Sequence, residues 1–309
     1  MRRIPVILGA TASGKSDLAL ALAQRHGAEI ISVDSMKIYR GMDIGTCKPT
    51  PELRQAVTHH GIDIRNPDKS YNAYEFYADC QQLLMDRRAA GKTVILEGGT
   101  ALYYHVLFSG IFQGPESDWE LRAQLEAEAA QSGEPEYLHR RLQGLDPTAA
   151  LRLHPNDTRR VLRALEVCLL TGKPMSQLQS ELTKPAPYEF EIVGLRWPRD
   201  FLYERINRRV RMMFDAGLVD EVAALTKRLT LSRQASQALG YKEVQAFLRG
   251  EASELEALQC IQQNTRRFAK HQETWFRRFK TIHWLDAAGV DADVLAQEAE
   301  EYLGHWLTA

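Results

Sequence analysis

The chain has 309 residues, 44% of them hydrophobic and 26% charged, with a net charge of −1. This is enough for a large core and a second domain, and with no apolar run near twenty residues and no secretion signal, neither membrane insertion nor export is expected. Its four cysteines, Cys47, Cys80, Cys168 and Cys260, form no Cys-x-x-Cys pair, which argues against a zinc site or a disulfide framework and fits a reducing cytoplasm.

The apolar run at residues 4–8 predicts a strand, and residues 17–23 predict a helix. Between them, Gly9-Ala10-Thr11-Ala12-Ser13-Gly14-Lys15-Ser16 matches the phosphate-loop pattern G-x-x-x-x-G-K-[ST] in its required strand–loop–helix context. The backbone N–H groups of such a loop and the helix N-terminus bind a di- or triphosphate. Lys15 adds a point charge on the terminal phosphate, and Ser16 can hold a magnesium ion. A polyphosphate ligand is therefore expected.

Glu29–Val33 predicts a second strand that delivers Asp34 and Ser35 at its carboxyl end. Asp34 reads either as a helix N-cap or as a carboxylate able to take a proton from a nucleophile. His59 and His60 have no companion at metal-ligand spacing and read as structural. A helix is expected over residues 74–90, then a strand over 93–97 that ends in Gly98-Gly99-Thr100. Many NTPases of this loop class carry a magnesium-binding aspartate there; this chain offers Glu97 followed by two glycines. The alternation of strand and helix predicts an α/β fold with a parallel sheet. The loop, Asp34 and Thr100 would then share one rim.

After a break at residues 110–117 the pattern turns helical, over 119–130, 137–142 and 156–170, until a strand resumes at 189–195. We therefore expect a P-loop α/β core made of residues 1–113 and 189–309, with a helical insertion at 114–188. Arg159, Arg160 and Arg163 lie near the start of a helix capped by Asn156 or Asp157. They span an arc of ~100° and read as a solvated face or a phosphate contact. On the helix expected at 201–214, Arg205 and Arg209 border an apolar arc.

Residues 265–280 combine Arg266, Arg267, Lys270, Arg277, Arg278 and Lys280 with Phe268, Trp275, Phe276 and Phe279. Such a helix packs some aromatics into a core, and its basic density also suits RNA. The segment after it holds Asp286, Asp291, Asp293, Glu298, Glu300 and Glu301 with no lysine or arginine. The near-zero total charge can thus conceal a nucleic-acid surface.

Taken together, these pieces resemble the tRNA dimethylallyltransferases (tRNA isopentenyltransferases). The loop, Ser32-Val33-Asp34-Ser35 with Ile38-Tyr39, Met42-Asp43-Ile44-Gly45-Thr46 with Lys48-Pro49, and Gly98-Gly99-Thr100 with Leu102-Tyr103 carry the likeness. Further on, His154-Pro155-Asn156-Asp157, Ala164-Leu165-Glu166 with Gly172-Lys173, Gly240-Tyr241-Lys242, and Thr265-Arg266-Arg267 with Ala269-Lys270 and residues 272–275 extend it almost to the end. Glu97, Ala101 and His271 depart from the family pattern, where an apolar residue, a glycine and an arginine are usual. The zinc-finger extension of some eukaryotic members is absent, so the resemblance is to the bacterial type.

The resemblance implies transfer of a dimethylallyl group from dimethylallyl diphosphate to N6 of the adenosine 3′ of the anticodon in tRNA, with release of diphosphate. Gly9, Ala10, Thr11, Ala12, Ser13, Gly14, Lys15, Ser16 and Arg209 would hold the diphosphate, with Mg2+ on Ser16 as cofactor. Asp34, Thr100 and Lys15 would be catalytic. The tRNA would contact Asp34, Ser35, Met36, Lys37, Thr100, Arg122, Thr158, Arg159, Arg160, Val161 and Leu162. Gly240, Tyr241, Lys242, Arg266, Arg267, Lys270, Trp275 and Arg277 would complete that surface. A cytoplasmic monomer is expected. Two other functions share the phosphate loop: a small-molecule kinase that binds and turns over ATP, and a nucleotide-gated RNA-binding protein without catalysis.

Overall fold

The computed structural model describes residues 3–183 and 187–307. The chain divides into two compact units, Met1–His105 with Pro187–Ala309, and Val106–Ala186.

The first unit is built on six strands: β1 (Arg3–Gly9), β2 (Glu29–Val33), β3 (His59–His60), β4 (Val94–Gly98), β5 (Glu189–Arg196) and β6 (Ile282–Asp286). They form one sheet in the order β3-β2-β4-β1-β5-β6, and every pairing is parallel. β1 is buried beyond Arg3 and β4 along its whole length. Continuous apolar runs of this kind mark strands covered on both faces. β6 was not foreseen in the sequence. It is an edge strand in which only Leu285 is buried, and its Asp286 carboxylate accepts from Arg196 at the end of β5. The two-residue β3, at the other edge, was also not foreseen.

In an all-parallel sheet the carboxyl ends of all strands face one way. Here Gly9, Val33 and Gly98 end the adjacent strands β1, β2 and β4. The Thr100 N–H donates to the carbonyl of Val33 at 3.2 Å, which fastens the two turns that follow β2 and β4. The strands run so close that a Cβ at Gly98 would lie 2.1 Å from the Val33 oxygen. Only glycine fits there.

The helix Lys15–His26 leaves the loop with Leu18, Leu22 and Ala23 facing the sheet. These residues share a core with Ile7, Ile30, Ile95, Val193 and Leu285, and with Leu295 and Leu303 of the helix Ala292–Leu307. The acidic last segment is therefore docked rather than solvated. Its Glu300 accepts from Arg25 and lies 2.5 Å from His26 Nε2, and Asp293 pairs with Arg25 at 2.8 Å.

The second unit holds the helices Trp119–Ser132, Tyr137–Leu145, Pro147–Arg152, Thr158–Thr171 and Met175–Leu182. Leu125, Leu142, Ala149, Val161, Leu162 and Leu165 form its core. Asp157, not Asn156, caps the helix Thr158–Thr171 through the Arg160 N–H. Inside the unit the Glu166 side chain is fully buried. It accepts from the Asp118 N–H at 2.7 Å and from two N–H groups of Arg122 at 2.9 and 2.7 Å, and it pairs with Arg163. Burial alone would raise this carboxyl's pKa; bonds from Arg122 and Arg163 hold it below the ordinary value.

Removing one member of a buried ion pair strands the others, at a cost of roughly 3–5 kcal/mol. Glu166→Ala is expected to destabilise the helical unit by an amount of that order, measured by urea unfolding followed by circular dichroism. An unchanged midpoint would show that the arginines find equal partners in water.

Candidate active site

The loop closes against four side chains that lie far away in sequence. Gln272, on the helix Glu254–Phe276, accepts from the Thr11 N–H at 2.9 Å and donates to the Gly99 carbonyl at 2.7 Å. It joins the turn after β1 to the turn after β4. Trp197 donates from Nε1 to the Ser13 carbonyl at 2.9 Å, and Arg205 from Nε to the Ala12 carbonyl at 2.8 Å. The Arg205 guanidinium lies over the Trp197 ring, 4.3 Å from its centroid. Arg209 donates to Thr11 Oγ1 at 3.4 Å and to Cys47 Sγ at 2.9 Å. Gly14 turns the chain into the first helix at φ 91°, a left-handed conformation that favours glycine.

The floor of the loop holds three buried charges: Lys15, Lys37 and Glu97. Ser16 Oγ donates to Glu97 Oε1 at 2.8 Å, and Lys37 Nζ reaches Glu97 Oε2 at 3.5 Å. Lys15 Nζ bonds the Ala10 carbonyl at 3.4 Å. Burial pushes the Lys15 pKa down to about 8, an effect that Glu97 opposes and that Lys37 and Arg209 reinforce. For Glu97 burial works upward, but Lys37 and Lys15 outweigh it and hold the carboxyl below its ordinary value. Lys37 was read from the sequence as an RNA contact. Its ammonium is instead turned inward as the partner of Glu97.

Above this floor opens a cleft of about 400 Å³. Its lining combines the polar Lys15, Ser16, Lys37, Glu97 and Arg209 with the apolar Leu20, Leu53, Ile62 and Met212. The lining includes Cys47 and His59; His60, beside it in sequence, bonds Glu29 at 2.6 Å.

Asp34 and Thr100 meet at the neighbouring strand ends. Asp34 Oδ1 accepts from the N–H groups of Met36 at 2.8 Å and Lys37 at 3.2 Å, so one carboxylate oxygen closes the turn. Thr100 Oγ1 accepts from the Ser35 N–H at 3.0 Å. Asp34, Ser35 and Met36 are half-buried.

Two other motifs converge on Glu221. It accepts from the N–H groups of Asp43, Ile44 and Gly45, and from the hydroxyl of Tyr241 at 2.5 Å. Gly45 is required here, because a Cβ would lie 2.4 Å from the Tyr241 ring. Tyr241 and Gly240 are buried and Lys242 is exposed.

The remaining residues assigned to RNA fall into two sets. Thr158, Arg159, Arg160, Arg267, Lys270 and Arg277 are exposed. Arg266 is half-buried and bonds Asn207 at 2.5 Å; Trp275 is half-buried under Arg278, whose guanidinium lies 4.6 Å from its ring. Val161 and Leu162 are core residues of the helical unit, so their side chains do not meet solvent. Arg122 is spent on Glu166, with its guanidinium over Trp119. The basic helix ends at Phe276, which leaves Arg277 and Arg278 in the turn beyond it.

Sequence reading missed Gln272, Trp197 and the partners of Glu97. For Gln272 a signal existed: it stands on the buried stripe with Ala269 and Phe276, where an apolar residue would be ordinary.

An all-parallel sheet with this loop between β1 and its first helix defines a P-loop NTPase-like fold, with a cleft lined by Lys15, Lys37 and Arg209. The family model for IPP transferase matches residues 37–279. The chain belongs to that family. The tRNA dimethylallyltransferase of Geobacter sulfurreducens is 46% identical over 286 residues, 92% of this chain and 92% of the relative. That of Geobacillus kaustophilus is 44% identical over 300 residues, 97% and 94% of the two chains. The crystal structure of the tRNA isopentenylpyrophosphate transferase of Bacillus halodurans is 39% identical, with a TM-score of 0.74 covering 99% of this chain and 97% of that one. A eukaryotic dimethylallyltransferase solved acting on tRNA gives a TM-score of 0.79 at 28% identity, over 99% of this chain and 77% of that one.

The depressed Lys15 pKa has a measurable consequence. A polyanion binds the protonated ammonium, so affinity is full below pH 8 and falls as Lys15 loses its proton above about 8. The apparent Kd for inorganic diphosphate should rise by up to about tenfold per pH unit above that point. In Lys15→Arg the charge persists and the profile should flatten. A wild-type Kd that stays constant to pH 10 would place the ammonium away from the anion.

Proposed function

We propose that the chain transfers a dimethylallyl group from dimethylallyl diphosphate to N6 of the adenosine adjacent, on the 3′ side, to the anticodon of a tRNA, releasing diphosphate. The observation that carries this reading is the placement of a buried cationic floor beside a half-buried carboxylate on one rim of the sheet. The family supplies the substrates: its relatives are named for dimethylallyl transfer to tRNA.

The reaction breaks the bond between C1 of the dimethylallyl group and the diphosphate oxygen, and forms a bond from C1 to N6. Negative charge grows on the departing diphosphate. Lys15, Arg209 and the loop N–H groups stabilise it, because fixed donors aimed at developing charge need no reorganisation. The apolar residues in the cleft lining, among them Leu53, Ile62 and Met212, suit a five-carbon hydrocarbon. Ser16 and the carboxylate beside it are hard oxygen donors, the chemistry Mg2+ prefers. Mg2+ held there would add to the neutralisation of the diphosphate.

The adenine amine is a weak nucleophile, since its lone pair is delocalised into the ring. Asp34 Oδ1 is committed to its turn, and Oδ2 is the oxygen assigned to orient the amine and accept its proton. Thr100 holds the Asp34–Ser35 turn in place. The target base must leave its stack to reach the rim, as bases do in other enzymes that modify them. Thr158, Arg159 and Arg160 on the helical unit, and Lys242, Arg267, Lys270 and Arg277 on the other, supply the exposed donors and cations for the RNA.

The direct test is incubation of the protein with unmodified tRNA and dimethylallyl diphosphate, followed by mass spectrometry of the nucleosides. Prenylated adenosine is the expected product; ATP consumption without it would favour a kinase. Asp34→Asn separates the two roles of the carboxylate, since Asn closes the same turn. It should leave the thermal midpoint near wild type and lower the single-turnover rate by about 10²–10⁴-fold. A near-normal rate would reduce Asp34 to its turn.

A further inference from the structure

We propose that Glu97 is the protein's carboxylate for the divalent cation at the loop, acting through Ser16 and metal-bound water rather than only as the counter-ion of Lys37. This rests on the reading of the loop as a diphosphate holder. The evidence lies in how the carboxylate divides its contacts. A counter-ion needs proximity to positive charge, and Glu97 has Lys37 at 3.5 Å. Its shorter, directed bond goes to Ser16 Oγ, at 2.8 Å.

Ser16 closes the G-K-[ST] signature, and its hydroxyl in such loops faces the metal that rides on the bound phosphates. A hydroxyl that gives its proton to a carboxylate keeps its lone pairs for a cation and is fixed in direction. Outer carboxylates of this kind orient and strengthen metal ligands, and their loss typically costs 10–100-fold in metal affinity. Glu97 and Ser16 line the same cleft. Among the described residues no group of three or more His, Cys, Asp or Glu gathers that could hold a metal. The protein therefore offers a sparse donor set, to be completed by phosphate oxygens and water, which is how Mg2+ is usually held. Burial makes the contribution larger, since the Glu97 side chain is only 4% exposed and little water screens it.

The position also explains a departure. The sequence shows a glutamate in a strand otherwise apolar up to its glycine, Val94-Ile95-Leu96-Glu97-Gly98. A charge in the middle of a covered sheet is costly unless bonded. Here it lies in register with Ile7 of β1 and Ser32 of β2, one residue short of the glycine that opens the rim.

The test is titration of the full chain with Mn2+ in the presence of inorganic diphosphate, read by electron paramagnetic resonance, beside diphosphate binding measured without metal. Wild type should bind diphosphate alone, and its complex should bind Mn2+. With diphosphate held saturating, E97Q should lower the Mn2+ affinity of the complex about 10–100-fold. E97D keeps the negative charge but withdraws the carboxylate from Ser16, so it should also lose Mn2+ affinity. K37Q should keep or increase it. The inference is overturned if E97D or E97Q binds Mn2+ as wild type does, or if K37Q loses as much as E97Q. E97D retains the buried charge balance, so it decides the matter even should E97Q fail to fold. Absence of diphosphate binding in wild type would instead overturn the loop reading itself, and this inference with it.

Discussion

The site is organised by one electrostatic constraint: a phosphate-binding lysine must stay charged although it is buried. Lys15 is almost fully enclosed at the start of the first helix, where desolvation works against its charge. Glu97 opposes that effect from β4, and Lys37 shares the same carboxylate from the turn after β2. The three groups leave a floor with a surplus of positive charge. A neutral floor would leave the anion to the loop N–H groups alone, and one without Glu97 would push Lys15 further toward deprotonation. The close pairing of β2 with β4 is what brings Lys37 to Glu97, so the bare Cα of Gly98 matters as much to the electrostatics as to the packing.

A second constraint is rigidity. Donors stabilise a leaving group only when they are held before charge develops. The loop carbonyls of Ala12 and Ser13 are occupied by Arg205 and Trp197, and the Thr11 N–H by Gln272. Gln272 has a wider role, because its other end holds Gly99 next to Thr100. One amide therefore sets the phosphate loop and the Thr100 turn relative to each other. It sits on the helix whose exposed face carries Arg267 and Lys270, so the element proposed to meet RNA is also the element that braces the loop.

The parts of this arrangement legible in the sequence are those fixed by local pattern. β1, β2 and β4 are short, largely apolar runs ending at Gly9, Val33 and Gly98, and parallel strands must present those ends on one rim. The loop signature needs no partner to be recognised. What depends on register could not be read. Lys37 and Glu97 lie sixty positions apart and meet only because β2 pairs with β4. Arg122, expected as a tRNA contact, pairs instead with Glu166, forty-four positions away and buried beside it only by the fold. β6 follows the basic helix as an edge strand with only Leu285 buried, without the continuous apolar run that marked the inner strands.

The near-neutral charge total has a structural resolution of the same kind. Asp293 and Glu300 of the last helix are bonded to Arg25 and His26 at the far end of the first helix. Both residues sit in its last turn, where the Arg25 charge complements the negative end of the helix dipole. The opposite, positive end of the same helix opens at Gly14 and Lys15 into the cleft. One helix thus carries the phosphate-loop lysine and the docking point for the acidic segment at opposite ends of its twelve residues. Asp286, Asp293 and Glu300 of that segment pair with Arg196, Arg25 and His26, while Arg267, Lys270 and Arg277 stay exposed. A polyanion approaching that helix is met by those cations rather than by the average charge of the chain, which is why net charge alone carried so little information about the partner.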